Sequence, residues 1–333
     1  MGFDMSRRGF IAGTATTATV AAGGLAFPAV LRAQEVERVT TVNLATGISI
    51  LFSEYMAAKR FDRKHGIEIV SLGTYPSLTN YYTEFVAGRF DFALGAWDTF
   101  ATRYLSGVPI QFLGSYTTAD MIQILSPAQG PSSIAELKGR SIAGLLQSGA
   151  FRMTKAALKD FHGIDLGTDV KVQNVDNPAA AITMLAADRA DAAVTWEPNV
   201  SAGLAKVPGL RSIYSMGADY EKQTGRRMPY FGIAVQKALT ARSPSLAARI
   251  DRAYTECVNA IMANPAEVAE LVAPKLDLAP EVLLGAFRSK RLVMVADSML
   301  EPQARAQLKS ASEFLAKAGI LPQPVDDGFL VAA

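Results

Sequence analysis

The residue types best suited to hold or attack a small molecule end two similar stretches. "RFDFALGAWD" (residues 89–98) and "RADAAVTWEP" (residues 189–198) each run from Arg-x-Asp through a short apolar run to a tryptophan and an acid. Trp97 and Trp196 are the only two tryptophans among the 333 residues. A tryptophan offers a flat apolar face with one N–H donor, and a carboxylate beside it accepts hydrogen bonds from an amine or a ring N–H. Asp98 also stands where it could cap a helix over "TFATRYLSG". Glu197 has no such use, because glutamate is not a favoured cap and Pro198 keeps it extended. Arg-x-Asp itself has a plainer role as the exit from a helix into a buried strand, so Arg89, Asp91, Arg189 and Asp191 are assigned to structure.

A second candidate is "LLQSGAFRMTK" (residues 145–155), in which Ser148 and Gly149 follow a strand-like run and open a helix-like one. The first N–H groups of a helix have no partner inside it, so such a start favours an anionic or strongly accepting group. Thr46-Gly47 after the first strand and Ser77 before "LTNYY" are placed in the same way. Covalent and metal chemistry have less to draw on. There is no GxGxxG after the first strand and no GxxxxGK[ST]. His65 and His162 each precede a glycine at a helix end, where they are expected to meet the last carbonyls. Cys257 lies at helical spacing among apolar residues, as a buried packing residue does. Neither zinc nor a nucleophile triad is expected, and no cofactor is assigned. Asp98 and Glu197 stay open as a carboxylate pair for acid–base work.

From Arg38 onward, short strand-like runs alternate with helical ones, the pattern of parallel α/β architecture. "RVTTVNLA", "IEIVSLG", "DFALGA" and "IQFLGSYT" form one series of strands. "MIQILSP", "SIAGLLQ", "DVKVQNVD", "DAAVTW" and "LRSIYSM" form a second, and "PYFGIAVQ" follows alone. Residues 48–64 read as one helix, and from about Ser245 the chain reads as almost wholly helical, with Asn264-Pro265 as a cap and first-position proline. Two series, each able to form a sheet, predict two lobes. Ligands of open α/β sheets bind beyond the carboxyl ends of strands, so both Trp-acid pairs are expected to face a common cleft.

Half of the residues are hydrophobic and 19% are charged, which is a folded globular composition, and the length suits two domains. Ser6-Arg7-Arg8-Gly9-Phe10-Ile11 leads into an uncharged run to Leu31, the form of a twin-arginine export signal with cleavage expected after Ala33. Thr14, Thr16, Thr17 and Thr19 make that run a poor membrane span. Without residues 1–33, the 33 basic and 31 acidic residues fall to 30 of each. That balance argues against nucleic acid or an anionic membrane surface as partner. A single cysteine leaves no intramolecular disulfide.

Four segments carry a resemblance to a known family. "AADRADAAVTWEP" is similar to its "DAxxxWEP" segment, "SSIAELKGRSIAGLLQSGAFR" to its "DLKGK" segment and following turn, and "MANPAEVAEL" to its "NPxEA" helix. "GRFDFALGAWDTFATRYLSGVPI" resembles its first-lobe strand and helix. The family is the nitrate/sulfonate/taurine-type periplasmic substrate-binding proteins of ABC importers, related to the binders of thiamine-pyrimidine precursors. The resemblance covers essentially the whole chain after the leader.

It implies an α/β fold of the periplasmic-binding-protein type II kind. Two α/β lobes are joined by two crossing hinge strands near residues 115–123 and 228–235, with a helical C-terminal tail. The division implied is a signal peptide over 1–33, the first part of lobe 1 over 34–118, lobe 2 over 119–229, and a return strand with C-terminal helices completing lobe 1 over 230–333. Ligand contacts carry over to Gly47, Ile48, Gly95, Trp97, Asp98, Ser148, Gly149, Ala150, Trp196 and Glu197. The chain departs from many members in placing Trp97-Asp98 where small or hydroxylated residues are common, and a second carboxylate would repel a simple anion such as nitrate.

The function implied is that of a monomeric periplasmic solute-binding protein, not an enzyme. It takes a small nitrogen-containing organic molecule, such as an aminosulfonate or a pyrimidine, and passes it to ABC permease subunits and their ATPase. Trp97 and Trp196 then wall the ligand, Asp98 and Glu197 take its donor groups, and Ser148, Gly149 and Ala150 take its acceptor or anionic end. A pyrimidine-synthase-like enzyme on the same fold is the alternative.

Overall fold

A computed structural model describes residues 36–44 and 47–332, and the twin-arginine leader with its cleavage site lies outside the described residues. The strands are β1 (Glu37–Leu44), β2 (Ile67–Tyr75), β3 (Phe92–Ala96), β4 (Ile110–Thr117), β5 (Ile122–Ser126) and β6 (Ser141–Gly144). They continue as β7 (Lys171–Asn174), β8 (Ala192–Trp196), β9 (Arg211–Ser215), β10 (Phe231–Gln236) and β11 (Met294–Ser298). β1 and β2 pair in parallel. Bonds between Thr40 and Asp91 and from Thr41 to the Phe92 carbonyl lay β1 beside β3. The larger sheets run β11-β4-β10-β3 and β7-β6-β8-β5-β9.

The two halves share one order. β2-β1-β3-β10-β4 matches β7-β6-β8-β5-β9 strand for strand, and in each the fourth strand is antiparallel to both neighbours. The chain leaves the first sheet at Thr117 and enters the second at Ile122, then returns with β10, where Thr118 bridges Pro229. The two lobes belong to one unit that starts at Val36.

This shared order explains half of the sequence repeat. Asp91 Oδ2 accepts the Thr40 N–H and hydroxyl, both at 2.8 Å. Asp191 Oδ2 accepts the Ser141 N–H at 2.8 Å and its hydroxyl at 2.7 Å. In each lobe the aspartate ties the start of the third strand to the first. The Ser141 backbone bond is the main cause holding the Asp191 carboxyl below its ordinary value.

The long helix Pro244–Ala263 covers the first sheet, setting Tyr254 against Phe52, Phe92 and Tyr116 and burying Cys257. Burial pushes the Cys257 thiol up, so it stays protonated. The tail touches both lobes. Phe314, on helix Pro302–Lys317, stacks on Phe161 at 5.3 Å and meets Tyr220 edge-on at 5.2 Å, while Phe329 stacks on Phe112 of β4.

Two local expectations are corrected. The helix expected over 48–64 is broken, because Arg60 takes a left-handed conformation (φ 55°) that closes Ser49–Lys59 before Phe61–Lys64 begins. The tail is not wholly helical, since β11 fills the free edge of β4 with Met294 opposite Thr117 and Asp297 opposite Ser115.

Gly232 sits at the tightest point of the first sheet. A Cβ there would lie 2.1 Å from the Gly114 carbonyl oxygen and 2.4 Å from Phe112 Cζ. Gly232→Ala is expected to lower stability by about 3 kcal/mol, seen as a lower urea midpoint at unchanged slope. An unchanged midpoint would mean that the sheet yields without cost.

Candidate functional site

A narrow cavity lies beyond the carboxyl ends of β3 and β8. Leu44, Leu78, Tyr82, Tyr230 and Phe231 wall it from the first lobe, and Leu145, Pro178 and Trp196 wall it from the second. Counted as space for the centre of a water-sized sphere, its volume is about 50 Å³. One water needs about 10–15 Å³ on that measure, so the walls stand close together. The polar lining comes from Thr99, Ser148, Asn177, Asp176 and the two tyrosines. Burial pushes the Tyr82 hydroxyl up to about 12 and is also the main cause raising Tyr230. Both phenols are therefore neutral.

Of the residues expected at the ligand, Gly47, Ser148, Gly149 and Trp196 line this cavity, and Ile48, Gly95, Trp97, Asp98, Ala150 and Glu197 do not. Each of the latter has a local reason. Ile48 is wholly buried under the first helix, and Ala150 is wholly buried one residue into helix Gly149–His162. Gly95 makes room for the cavity wall without lining it, because a Cβ there would meet the Tyr82 hydroxyl at 2.3 Å. Trp97 is also fully buried, and its indole N–H donates to the Pro229 carbonyl at 2.8 Å. It therefore anchors the returning crossover, and of the two tryptophans only Trp196 lines the cavity.

Both expected acceptor carboxylates are already engaged. Asp98 does not cap its helix, Trp97–Leu105, which has Ala96 at the cap position. Instead it reaches across to Arg152 of the second lobe, whose Nε donates to Oδ2 at 2.9 Å and whose Nη2 is shared between Oδ2 and the Thr99 hydroxyl. Burial works to lower the Arg152 value, and the Asp98 carboxylate more than offsets it, so the guanidinium is held above its ordinary range. The other Asp98 oxygen, Oδ1, is buried without a hydrogen-bond partner.

Glu197 is turned back onto the helix that follows it, whose cap position is held by Pro198. Its peptide bond to Pro198 is cis, and its Oε2 accepts the Ser201 N–H at 3.0 Å inside the first turn of helix Asn199–Lys206. Oε1 accepts the Ser201 hydroxyl at 3.0 Å and Arg291 Nε at 2.8 Å. Ser148 is likewise turned inward, accepting the Phe151 N–H and donating to the Leu145 carbonyl.

The histidines pair with side chains and not with helix-end carbonyls. His65 Nε2 lies 2.8 Å from Glu256 and His162 Nε2 lies 2.7 Å from Asp219. Among the described residues, no group of three or more His, Cys, Asp or Glu side chains could hold a metal ion.

The lining residues not anticipated include Tyr82, Tyr230, Phe231, Asp176 and Asn177. The strand-end rule reaches two of them, since Asp176 and Asn177 follow β7. Tyr82 carried no such signal, because it sits mid-helix in Leu78–Val86.

Two lobes of like strand order, crossed twice and enclosing a cavity at their strand ends, define the periplasmic-binding-protein fold. The chain matches the family described as NMT1/THI5 like over residues 54–268, more than half of its length, and it belongs to that family. Its structure is similar to the alkanesulfonate-binding protein from Xanthomonas axonopodis pv. citri bound to MOPS, with a TM-score of 0.72 at 15% identity over 90% of this chain and 99% of that one. It is also similar to the periplasmic aliphatic sulphonate binding protein from Escherichia coli (TM-score 0.70, 16% identity, 89% of this chain and 92% of that one). The desulfurization enzyme DSZB shares the fold as well (TM-score 0.62, 18% identity, 89% of this chain and 96% of that one). No curated protein sequence matches the chain.

Proposed function

We propose that the protein is an exported solute-binding component of an ABC importer, which holds a small organic molecule between its lobes and presents it to a membrane permease. The observation that carries this is a single apolar and aromatic cavity walled from both lobes by Tyr82, Tyr230 and Phe231 on one side and Leu145 and Trp196 on the other. A ligand there touches both lobes only when they are closed, so its binding energy shifts the population toward closure. The sulfonate-binding proteins that share the fold support a transport role, and the twin-arginine leader supports delivery to the periplasm. The enzyme alternative has one supporter, the desulfurization enzyme on the same fold. It gains little from the cavity, whose lining holds no histidine, cysteine or lysine among the described residues.

The ligand has an apolar or aromatic body. Asp98 and Glu197 are not the acceptors of an amine, because Arg152 and Arg291 occupy those carboxylates.

A thermal-shift screen of small aromatic and aliphatic acids, sulfonates and amines tests binding. A ligand at a hundredfold over its dissociation constant stabilises by about 2.7 kcal/mol. Fluorescence tests the site. Trp196 lines the cavity whereas Trp97 is wholly buried, so a hit is expected to change the emission of Trp97→Phe and leave that of Trp196→Phe unaltered. The reverse pattern would place the ligand elsewhere, and a hit that is chemically converted would favour the enzyme.

A further inference from the structure

Beside the cavity, and sharing Leu78, Tyr82 and Thr99 with it, lies a second and larger recess of about 240 Å³ on the same measure. Its character is opposite. Arg103, Arg152, Gln147, Thr79, Thr83 and Thr102 complete its lining, and no carboxylate lines it. Arg152 is bound to Asp98, but Arg103 has no carboxylate partner among the described residues. Its guanidinium stacks over the Tyr82 ring at 4.3 Å and gives one N–H to the Thr99 carbonyl at 3.0 Å. Arg103 is only partly exposed, and burial is the main cause holding it below its ordinary value. A partly desolvated cation that no carboxylate contacts, beside hydroxyls and an amide, is suited to a planar or tetrahedral oxyanion.

We propose that this recess receives the singly charged oxyanion end, a carboxylate or a sulfonate, of a ligand whose apolar body occupies the adjoining cavity, with Arg103 as the residue that selects for the charge. The proposal rests on the solute-binding function above and deepens it. Tyr82 lines both the cavity and the recess and lies under the Arg103 guanidinium, so body and charge meet at a single side chain. The proposal also moves the anionic end expected at Ser148, Gly149 and Ala150 to Arg103, a cation that no carboxylate contacts among the described residues.

The test uses phenylacetate, phenylmethanesulfonate and the neutral phenylacetamide as probes, titrated by calorimetry into the full mature chain. At least one anion is expected to bind about tenfold or more tightly than the amide, as a charged hydrogen bond provides, and to weaken as salt is added. The tighter of the two anions identifies the oxyanion class. In Arg103→Gln that anion is expected to lose its advantage over the amide. Thr79→Glu, at an exposed position on the rim of the recess, should weaken the anions alone, and it serves if Arg103→Gln does not fold. Equal binding of amide and anions to the unaltered protein, or an anion preference that survives in the variants, would overturn the oxyanion subsite and leave the solute-binding function standing. Binding of none of the three would count against the aromatic cavity itself, and the subsite would fall with it.

Discussion

Arg291→Met is expected to lower the stability of the protein by about 3–5 kcal/mol, the usual cost of removing one partner from a buried ion pair. Glu197 has no exposed side-chain surface, and Arg291 is 21% exposed. The carboxylate takes one charged donor from Arg291 and two neutral ones from Ser201, and Arg291 Nη2 closes the ring on the Ser201 hydroxyl at 3.1 Å. Without the guanidinium, the carboxylate either stays ionised in a dry site or takes up a proton and weakens its bonds to Ser201. Either course destabilises the end of β8 and the helix that follows it. For a chain of this size, about 2–4 °C per kcal/mol implies a fall in midpoint of roughly 10 °C, measured by circular dichroism. The double variant Glu197→Gln with Arg291→Met should recover much of the loss, because it leaves no buried charge. A single variant that melts within a degree of the unaltered protein would show that the pair is solvated in solution.

That pair marks the boundary of what the sequence could reveal. The alternation of strand-like and helical runs is a local property, and it exposed both sheets, the strand-end position of Trp196 and the helix start at Ser148. The repeated Arg-x-Asp was legible as structure for the same reason, since the aspartate acts at the entrance to its own strand. What the acids do after each tryptophan depends on partners far along the chain. Arg152 is 54 residues from Asp98 and Arg291 is 94 from Glu197, and no local pattern indicates that either arginine will arrive. Residue type suggested a donor-seeking carboxylate, and the fold had already supplied the donor. β11 was hidden differently. It is a five-residue edge strand between helices Pro280–Arg288 and Pro302–Lys317, and it exists because β4 offers a free edge rather than because its own sequence insists. Tyr82 and Arg103, on two different helices, meet only through the packing of those helices beside β3.

Gly149→Ala is expected to weaken ligand binding by about tenfold to a hundredfold while leaving the fold intact. Gly149 opens helix Gly149–His162 in the second lobe, and its backbone conformation does not demand glycine. What demands it is the first lobe. A Cβ at this position would lie 2.2 Å from Asp98 Oδ1 and 2.7 Å from Ala96 Cβ. Asp98 cannot swing aside, because it is wholly buried and held by Arg152, and Ala96 is the last residue of a central strand. The clash therefore falls on the distance between lobes, and overpacking of this kind costs about 1–3 kcal/mol, which converts to the stated loss of affinity if closure and binding are linked. Within its own lobe the alanine is harmless, since a helix start tolerates it at least as well as glycine. Calorimetry with the tightest ligand of the screen gives the affinity, and small-angle scattering gives the separation of the lobes. A weaker complex with a more open average shape is the expected pair of results. Unchanged affinity would mean that the approach of Asp98 to Gly149 is not part of the ligand-bound state, and the cavity walls would then have to be sought in a wider arrangement of the same two lobes.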